Sequence, residues 1–231
     1  VSGCGISVIS QTRDLVPADK LLYALRDVTG TIDNISLISA SIMSKKLASG
    51  SDVIVLDVKT GSGAFMKKQA DAVELARLMV DIGKAAGKKM AAVVTDMNQP
   101  LGRAVGNALE VKEAIEVLVG KRQGRLKQVA VVLAAKMLLT SGRAESYDDA
   151  EKQVEAALVT GRALNKLSRM IQAHGGDPLV CQDTGRLPAA GDIVTIPSGH
   201  TGFIEAFETD RIGTAAMLLG AGRRQKTDSI D

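Results

Sequence analysis

The sequence predicts a mixed α and α/β protein, in which a helical segment joins a larger α/β body. Three observations carry that expectation. The run "SDVIVLDV" (Ser51 to Val58) is continuously apolar and rich in β-branched residues, the mark of a strand covered on both faces. "MAAVVTD" (Met90 to Asp96) repeats the pattern, and the stretch between them carries Leu75, Leu78, Met79 and Ile82 on one helical face. Strand, helix and strand of these lengths make a βαβ unit with parallel strands and a right-handed crossover. Aromatic residues are only 2% of the chain and Trp is absent, so Ala, Val, Ile, Leu and Met must build the core, which suits helices laid closely on a sheet.

Taken in order, "ISVIS" (Ile6 to Ser10) alternates apolar and small residues and predicts a strand feeding the loop "QTRDLVPADK". Pro17 and Asp19 open a helix whose apolar stripe is Leu21, Leu22 and Leu25, ending near Thr29 and Gly30. Asp33 or Asn34 caps the next helix, which runs to about Ser49 and Gly50. The first buried strand is followed by the loop "KTGSGAF" and a helix from about Asp71 to Ala86. Asn107 to Leu118 reads as another helix, and two or three more fall between Leu126 and Ala173. Beyond "HGGDPL" the texture changes: "DIVTIPSGHTGFIEAF" reads as two short strands, and "DRIGTAAMLLGAG" returns to helix. The chain thus divides into 1–17, a strand and hinge of the α/β domain; 18–50, the helical segment; 51–178, the α/β body; and 179–231, a C-terminal segment with short strands and a helix.

With 231 residues, 45% hydrophobic and 24% charged, the chain can bury a real core and is not of the disordered class. Its 29 basic and 26 acidic residues are spread along the chain, and a net charge of +3 is too small for a nucleic-acid footprint. The cluster "GKRQGRLK" reads as solvated loop and helix-start charge. No window approaches the roughly 18 apolar residues of a membrane span, and the first residues lack a basic region followed by an apolar signal core. Cys4 and Cys181 lie far apart and match no metal or redox spacing, which points to a reducing, cytoplasmic setting. The first residue is not Met and the last are "DSID", so an internal fragment or a trimmed chain is expected.

Candidate chemistry is sparse. The loop Lys59 to Gly63 follows a strand and precedes a helix, where glycine-rich backbone can approach an anion, yet it matches neither a Walker loop nor G-x-G-x-x-G, and a tight connection explains it equally well. His174 and His200 neighbour glycine and have no companion at metal spacing, so they read as loop histidines. The helix after Asn34 says more. At about 100° per residue, Ile35, Ile38 and Ile42 share a side. Lys45 points close to Ile38, and Ser41 flanks it one turn earlier. A lysine at the rim of an apolar face must snorkel or find an anion. Lys46 also falls near the stripe, so geometry alone does not choose between the two.

The blocks "QTRDLVPADKLLYALRDVTGTIDNISLISASIMSKK", "DVIVLDVKTGSGAFM", "TDMNQPLGRAVGNALEVKEAIE" and "GTAAMLLGAGRRQKTDSID", in this order, closely resemble bacterial pyrimidine-nucleoside phosphorylases of the thymidine phosphorylase family. That resemblance implies phosphorolysis of pyrimidine nucleosides (uridine, thymidine, deoxyuridine) to the free base and a pentose 1-phosphate. It implies that Arg26, Ser41 and Lys45 bind the pyrimidine, and so selects Lys45 over Lys46. It also implies a structural monovalent cation, potassium, held by backbone carbonyls of Leu101 and Ala104 and by Glu113. Inorganic phosphate is the implied co-substrate and a homodimer the implied state of the intact parent. The resemblance also implies that residues 18–50 are the helical segment of a small α domain carrying the dimer contact, that the rest is most of a larger α/β domain, and that the substrate cleft lies between the two.

In the family, the phosphate-binding elements and the other cation ligands lie upstream of Val1, and a C-terminal segment lies beyond Asp231. This chain alone is therefore expected to be a poor catalyst that supplies the base-binding half. Arg13 stands where the family usually has Gly, and "DNIS" replaces a more usual "NSIP". Two rivals remain: a phosphoribosyltransferase of the same fold, and a non-catalytic pyrimidine-binding remnant.

Overall fold

The structure, a computed structural model, describes residues 1–9, 15–19, 21–22 and 34–222. Its centre is a βαβ unit: β1 (Val53–Thr60), α2 (Gln69–Ala85) and β2 (Lys89–Asp96), preceded by α1 (Ile35–Ala48). The strands pair in parallel, with Val53 opposite Lys89 and Thr60 opposite Asp96. Among the described residues they form a sheet of two strands, so the outer edge of β1 has no strand beside it and only Thr60, at its end, bridges to Met66.

The alternation of β1 decides what covers it. Ile54, Leu56 and Val58 are buried against Leu75, Ala76 and Met79 of α2 and against Ile38 and Met43 of α1, in one continuous core. Val53 and Val55 point the other way and share a cavity with Met137 and Leu138 of a later helix, Arg125–Ser141, which packs on both strands. The result is helix, sheet and helix in layers, as a strand apolar on both faces requires. Ile35 and Ile42 of α1 pack on the same core.

Past β2 the chain is helical: α3 (Asn107–Leu118), α4 (Arg125–Ser141), α5 (Tyr147–Val159) and α6 (Arg162–Ala173). A second small core of Ala135, Ala144 and Ala150 joins α4 to α5. Two 3-10 turns (Pro178–Cys181 and Thr184–Arg186) lead to an irregular stretch and then α7 (Thr209–Ala216), which runs into a π-type turn. Among the described residues no helix is long and apolar enough to cross a membrane.

Two expected strand regions are not strands. Residues 6–9 form no ladder, and the N-terminal stretch lies along α6 instead. There Lys166 donates to the Cys4 carbonyl at 2.9 Å, and Ser7 Oγ and His174 Nε2 are 2.9 Å apart. Residues 192–207 likewise form no strand, and their apolar side chains face solvent, Ile193 at 90% and Phe203 at 103% relative exposure. Both stretches have strand composition, but a strand exists only against a hydrogen-bonding edge. Leu21 and Leu22, expected in an apolar stripe, are also exposed, at 74% and 63%.

Candidate functional site

α1 begins where Asn34 turns its side chain onto the helix, Oδ1 accepting from the Leu37 amide at 3.0 Å. That start puts Ser41 and Lys45 one turn apart on one face. Ser41 is buried, and Lys45 keeps 25% of its side chain exposed. The Lys45 ammonium donates to Ser41 Oγ at 2.9 Å and to the Ser41 carbonyl at 3.0 Å. Its third partner comes from far along the chain: Asp19 Oδ2, at 2.5 Å, on a carboxylate only 9% exposed. Three N–H groups thus meet three acceptors, and the lysine at the rim of the apolar face has found its anion. Lys46 is exposed and its ammonium stands outside this network.

Arg26 and Arg13 lie outside the described residues. Residues 17–19 and 21–22 are helical, so the helix opened by Pro17 carries Asp19 in its first turn.

Beside Ser41 opens a cavity of about 560 Å³ lined by Ile38 and Ile42 of α1, the consecutive β1 residues Val55 to Lys59, and Phe65. Consecutive strand residues cannot all face one way, so the cavity runs along the outer edge of β1. Lys46 lines it too, whereas Lys45 lines a neighbouring cavity of about 820 Å³ with Ser7, Ile9 and Leu15. The Ser41–Lys45 hydrogen bond therefore stands between two openings, which meet at Lys46 and Val55.

At the carboxyl end of the sheet, where open α/β folds bind ligands, Lys59 pairs with Asp57 at 2.6 Å and donates to Thr95 Oγ1 at 2.9 Å. Thr95 in turn donates to Asp57 Oδ1 at 2.5 Å. Sequence reasoning passed over this trio, although an aspartate inside the apolar run "VIVLDV" was its visible sign.

The loop Lys59 to Gly63 is a tight connection. The amides of Gly61, Ser62 and Gly63 donate to Met66 O, Asn98 Oδ1 and Met97 O, so they offer no anion cradle. Gly61 has a φ of 121°, and a Cβ there would lie 2.6 Å from Asn98 Oδ1, so the turn needs glycine on both counts. The cluster around Arg122 and Arg125 is not merely solvated charge: Arg122 pairs with Glu116 at 2.7 Å, Arg125 with Asp96 at 3.0 Å and Lys127 with Glu155 at 3.0 Å.

Glu113 is 4% exposed and accepts from the backbone amides of Arg103, at 3.0 and 2.9 Å, and Ala104, at 2.8 Å. Burial pushes its carboxyl up, but those amides and the nearby guanidinium groups of Arg122 and Arg103 outweigh it, and the group titrates below its ordinary range. Among the described residues no cluster of three or more His, Cys, Asp or Glu side chains forms a metal site. Cys4 and Cys181 are free and buried.

The family model described as "Glycosyl transferase family, a/b domain" matches residues 1–164, and that described as "Pyrimidine nucleoside phosphorylase C-terminal domain" matches residues 203–231. The chain is 49% identical over 226 residues to a pyrimidine-nucleoside phosphorylase of Bacillus subtilis (strain 168), and 48% identical over 226 residues to proteins of that name from Geobacillus stearothermophilus and Staphylococcus epidermidis. Each alignment covers 98% of this chain and 52% of the relative, so the chain spans about half the length of the curated relatives it matches.

Proposed function

The chain belongs to the glycosyl transferase family through its a/b domain, and from that premise we propose that it carries the base-binding side of a pyrimidine-nucleoside phosphorylase. The reaction is attack of inorganic phosphate on the pentose of uridine, thymidine or deoxyuridine, releasing the free base and a pentose 1-phosphate. One observation carries the reading: Ser41, which lines a partly apolar cavity of ring-holding size, is hydrogen-bonded to Lys45, which lines the adjoining cavity. As the glycosidic bond breaks, negative charge spreads over the base and its carbonyl oxygens. A fixed ammonium there is worth more in the transition state than in the ground state, which is the condition for catalysis. Lys45 meets one carbonyl, Ser41 the ring N–H and Arg26 the second carbonyl through its planar fork. Phe65, the aromatic side chain lining the cavity, packs on the ring face.

The proposal includes a structural potassium ion at Leu101, Ala104 and Glu113. The residues fit it: Glu113 is held ionised, and its amide contacts use three of about four lone-pair directions. That leaves about one for a monovalent cation, which the carbonyl oxygens of Leu101 and Ala104 would share. Bound there, the ion supplies a fixed positive charge that stiffens the loop. We further place the intact enzyme as a cytoplasmic homodimer.

The test is titration of the 231-residue chain with uracil, followed by calorimetry or by NMR shifts. Binding is expected, with Lys45→Met weakening it by about tenfold or more, the effect of one lost charged hydrogen bond. Absence of binding, or equal affinity in the variant, overturns the reading. Release of uracil from uridine plus phosphate separates an enzyme from a binding protein.

A further inference from the structure

All three N–H groups of Lys45 are committed before any ligand arrives. To meet a base carbonyl, the ammonium must release one acceptor and keep the others. Two of its partners, the hydroxyl and carbonyl of Ser41, sit one turn away on its own helix, beside the cavity. The third, Asp19, belongs to a different segment, is more deeply buried than the lysine and makes the shortest contact, 2.5 Å. A charged acceptor holds an ammonium about twice as strongly as a neutral one. The bonds to Ser41 are therefore the ones that yield, and the bond to Asp19 is the pivot.

Resting on the base-binding reading above, we infer that Asp19 is the positioning residue for Lys45, holding the ammonium at one point while its remaining N–H groups pass from Ser41 to the departing base. The backbone supports a fixed pivot. Val16, just before Pro17, has a φ of 50°, a strained conformation for a β-branched residue that persists only where its surroundings hold it. The helical turn carrying Asp19 starts directly after it. Asp19 does not touch the base: it acts through Lys45. A simple tether between the two segments would share the contact but not the consequence for the ligand.

Two measurements on the 231-residue chain separate these roles. The first needs no ligand. Acetylation by a water-soluble N-hydroxysuccinimide ester, read at Lys45 and Lys46 by mass spectrometry, is expected to be slow at Lys45 in the native chain. It should rise about tenfold, to the rate of exposed Lys46, in Asp19→Asn, as expected when the dominant charged partner is lost. An unchanged Lys45 rate overturns the inference.

The second is uracil affinity. Asp19→Asn is expected to weaken it about tenfold, Asp19→Glu to recover part of the loss, and Asp19→Asn to have no further effect in a Lys45→Met background. If Asp19→Asn speeds acetylation but leaves uracil affinity intact, or weakens it equally in the Lys45→Met background, Asp19 is a tether and the inference fails. If Lys45→Met itself leaves uracil affinity unchanged, the base-binding reading fails. The acetylation rates still report the Asp19–Lys45 pair in that event.

Discussion

Glu113 and Lys45 are both charges withdrawn from water, and the chain answers them in opposite ways. The carboxylate of Glu113 is met by backbone, two amides of a loop nine and ten residues upstream. Lys45 is met by a side chain 26 residues away in sequence, and by a hydroxyl and carbonyl on its own helix. Backbone amides cannot leave without unmaking the loop, so the Glu113 region is built to stay. Side-chain partners can be exchanged at the cost of a rotamer, so the Lys45 region is built to respond. Glu113 is the deeper of the two, 4% exposed against 25% for Lys45, but Asp19, the partner of Lys45, is nearly as buried as Glu113; what distinguishes the two regions is the covalent fixity of the partner.

The hardest test of this contrast is Glu113→Gln. The new amide nitrogen must face amide donors, leaving at least one buried N–H without an acceptor. The expected loss is about 2–4 kcal/mol in urea unfolding near pH 7. The pH dependence follows from the direction of its shift. The folded carboxyl titrates below its ordinary value of 4.5, so the unfolded chain takes up this proton first as pH falls. The stabilisation is complete above about 4.5 and drains away as pH drops through the lower folded value. The gap in Tm between native chain and variant should therefore close on going from pH 7 to pH 3. Asp177 is also shifted down, by the Leu179 amide and Arg186, but both chains keep it and it cancels. A gap that stays constant with pH would show that the clamp does not depend on the charge of Glu113.

A smaller effect on the same region comes from the loop side. Gly102 lies so close to the clamp that a Cβ there would fall on Glu113 Oε2 and 3.0 Å from its Cδ. Neither neighbour is a free chain end, since both oxygens are pinned by amides. Gly102→Ala is expected to cost about 1–3 kcal/mol, the range for forcing atoms into packed space, and to raise the carboxyl's titration point by pushing it off its donors. If the variant unfolds at the native urea midpoint, the loop is more yielding than the contrast requires.

What the sequence disclosed follows the same division between local and distant partners. The helix Asn107 to Leu118 was predicted at its observed bounds, and the βαβ unit within two residues, because helical and strand periodicity are properties of neighbours. A cap at Asp33 or Asn34 is legible for the same reason, and Asn34 supplies it. The strands expected at Ile6 to Ser10 and between residues 192 and 207 have the right pattern, but pattern cannot supply the edge that a strand pairs with. Without the resemblance Glu113 reads as a solvated helix residue, since nothing in "NALEVKEAIEVL" announces two amides folding back. The partnership of Asp19 with Lys45 had no local signature at all. In the sequence Asp19 reads only as a residue that opens its own helix with Pro17.

The mildest prediction probes where the two kinds of partnership meet. Asn34 fixes the start of α1 through a side-chain bond to backbone, and Asn34→Ala should lower stability by about 1 kcal/mol, a typical cost for a lost cap. A cap decides where the helix starts, whereas the rotation that places Ser41 and Lys45 is set by Ile38 and Met43, both buried in the core. Fraying the first turn leaves that core contact in place. Urea unfolding should therefore register the change while uracil affinity stays within about twofold of the native chain, about 0.4 kcal/mol in free energy. A larger loss of affinity would mean that the responsive side of the molecule takes its geometry from the end of the helix and not from its buried face.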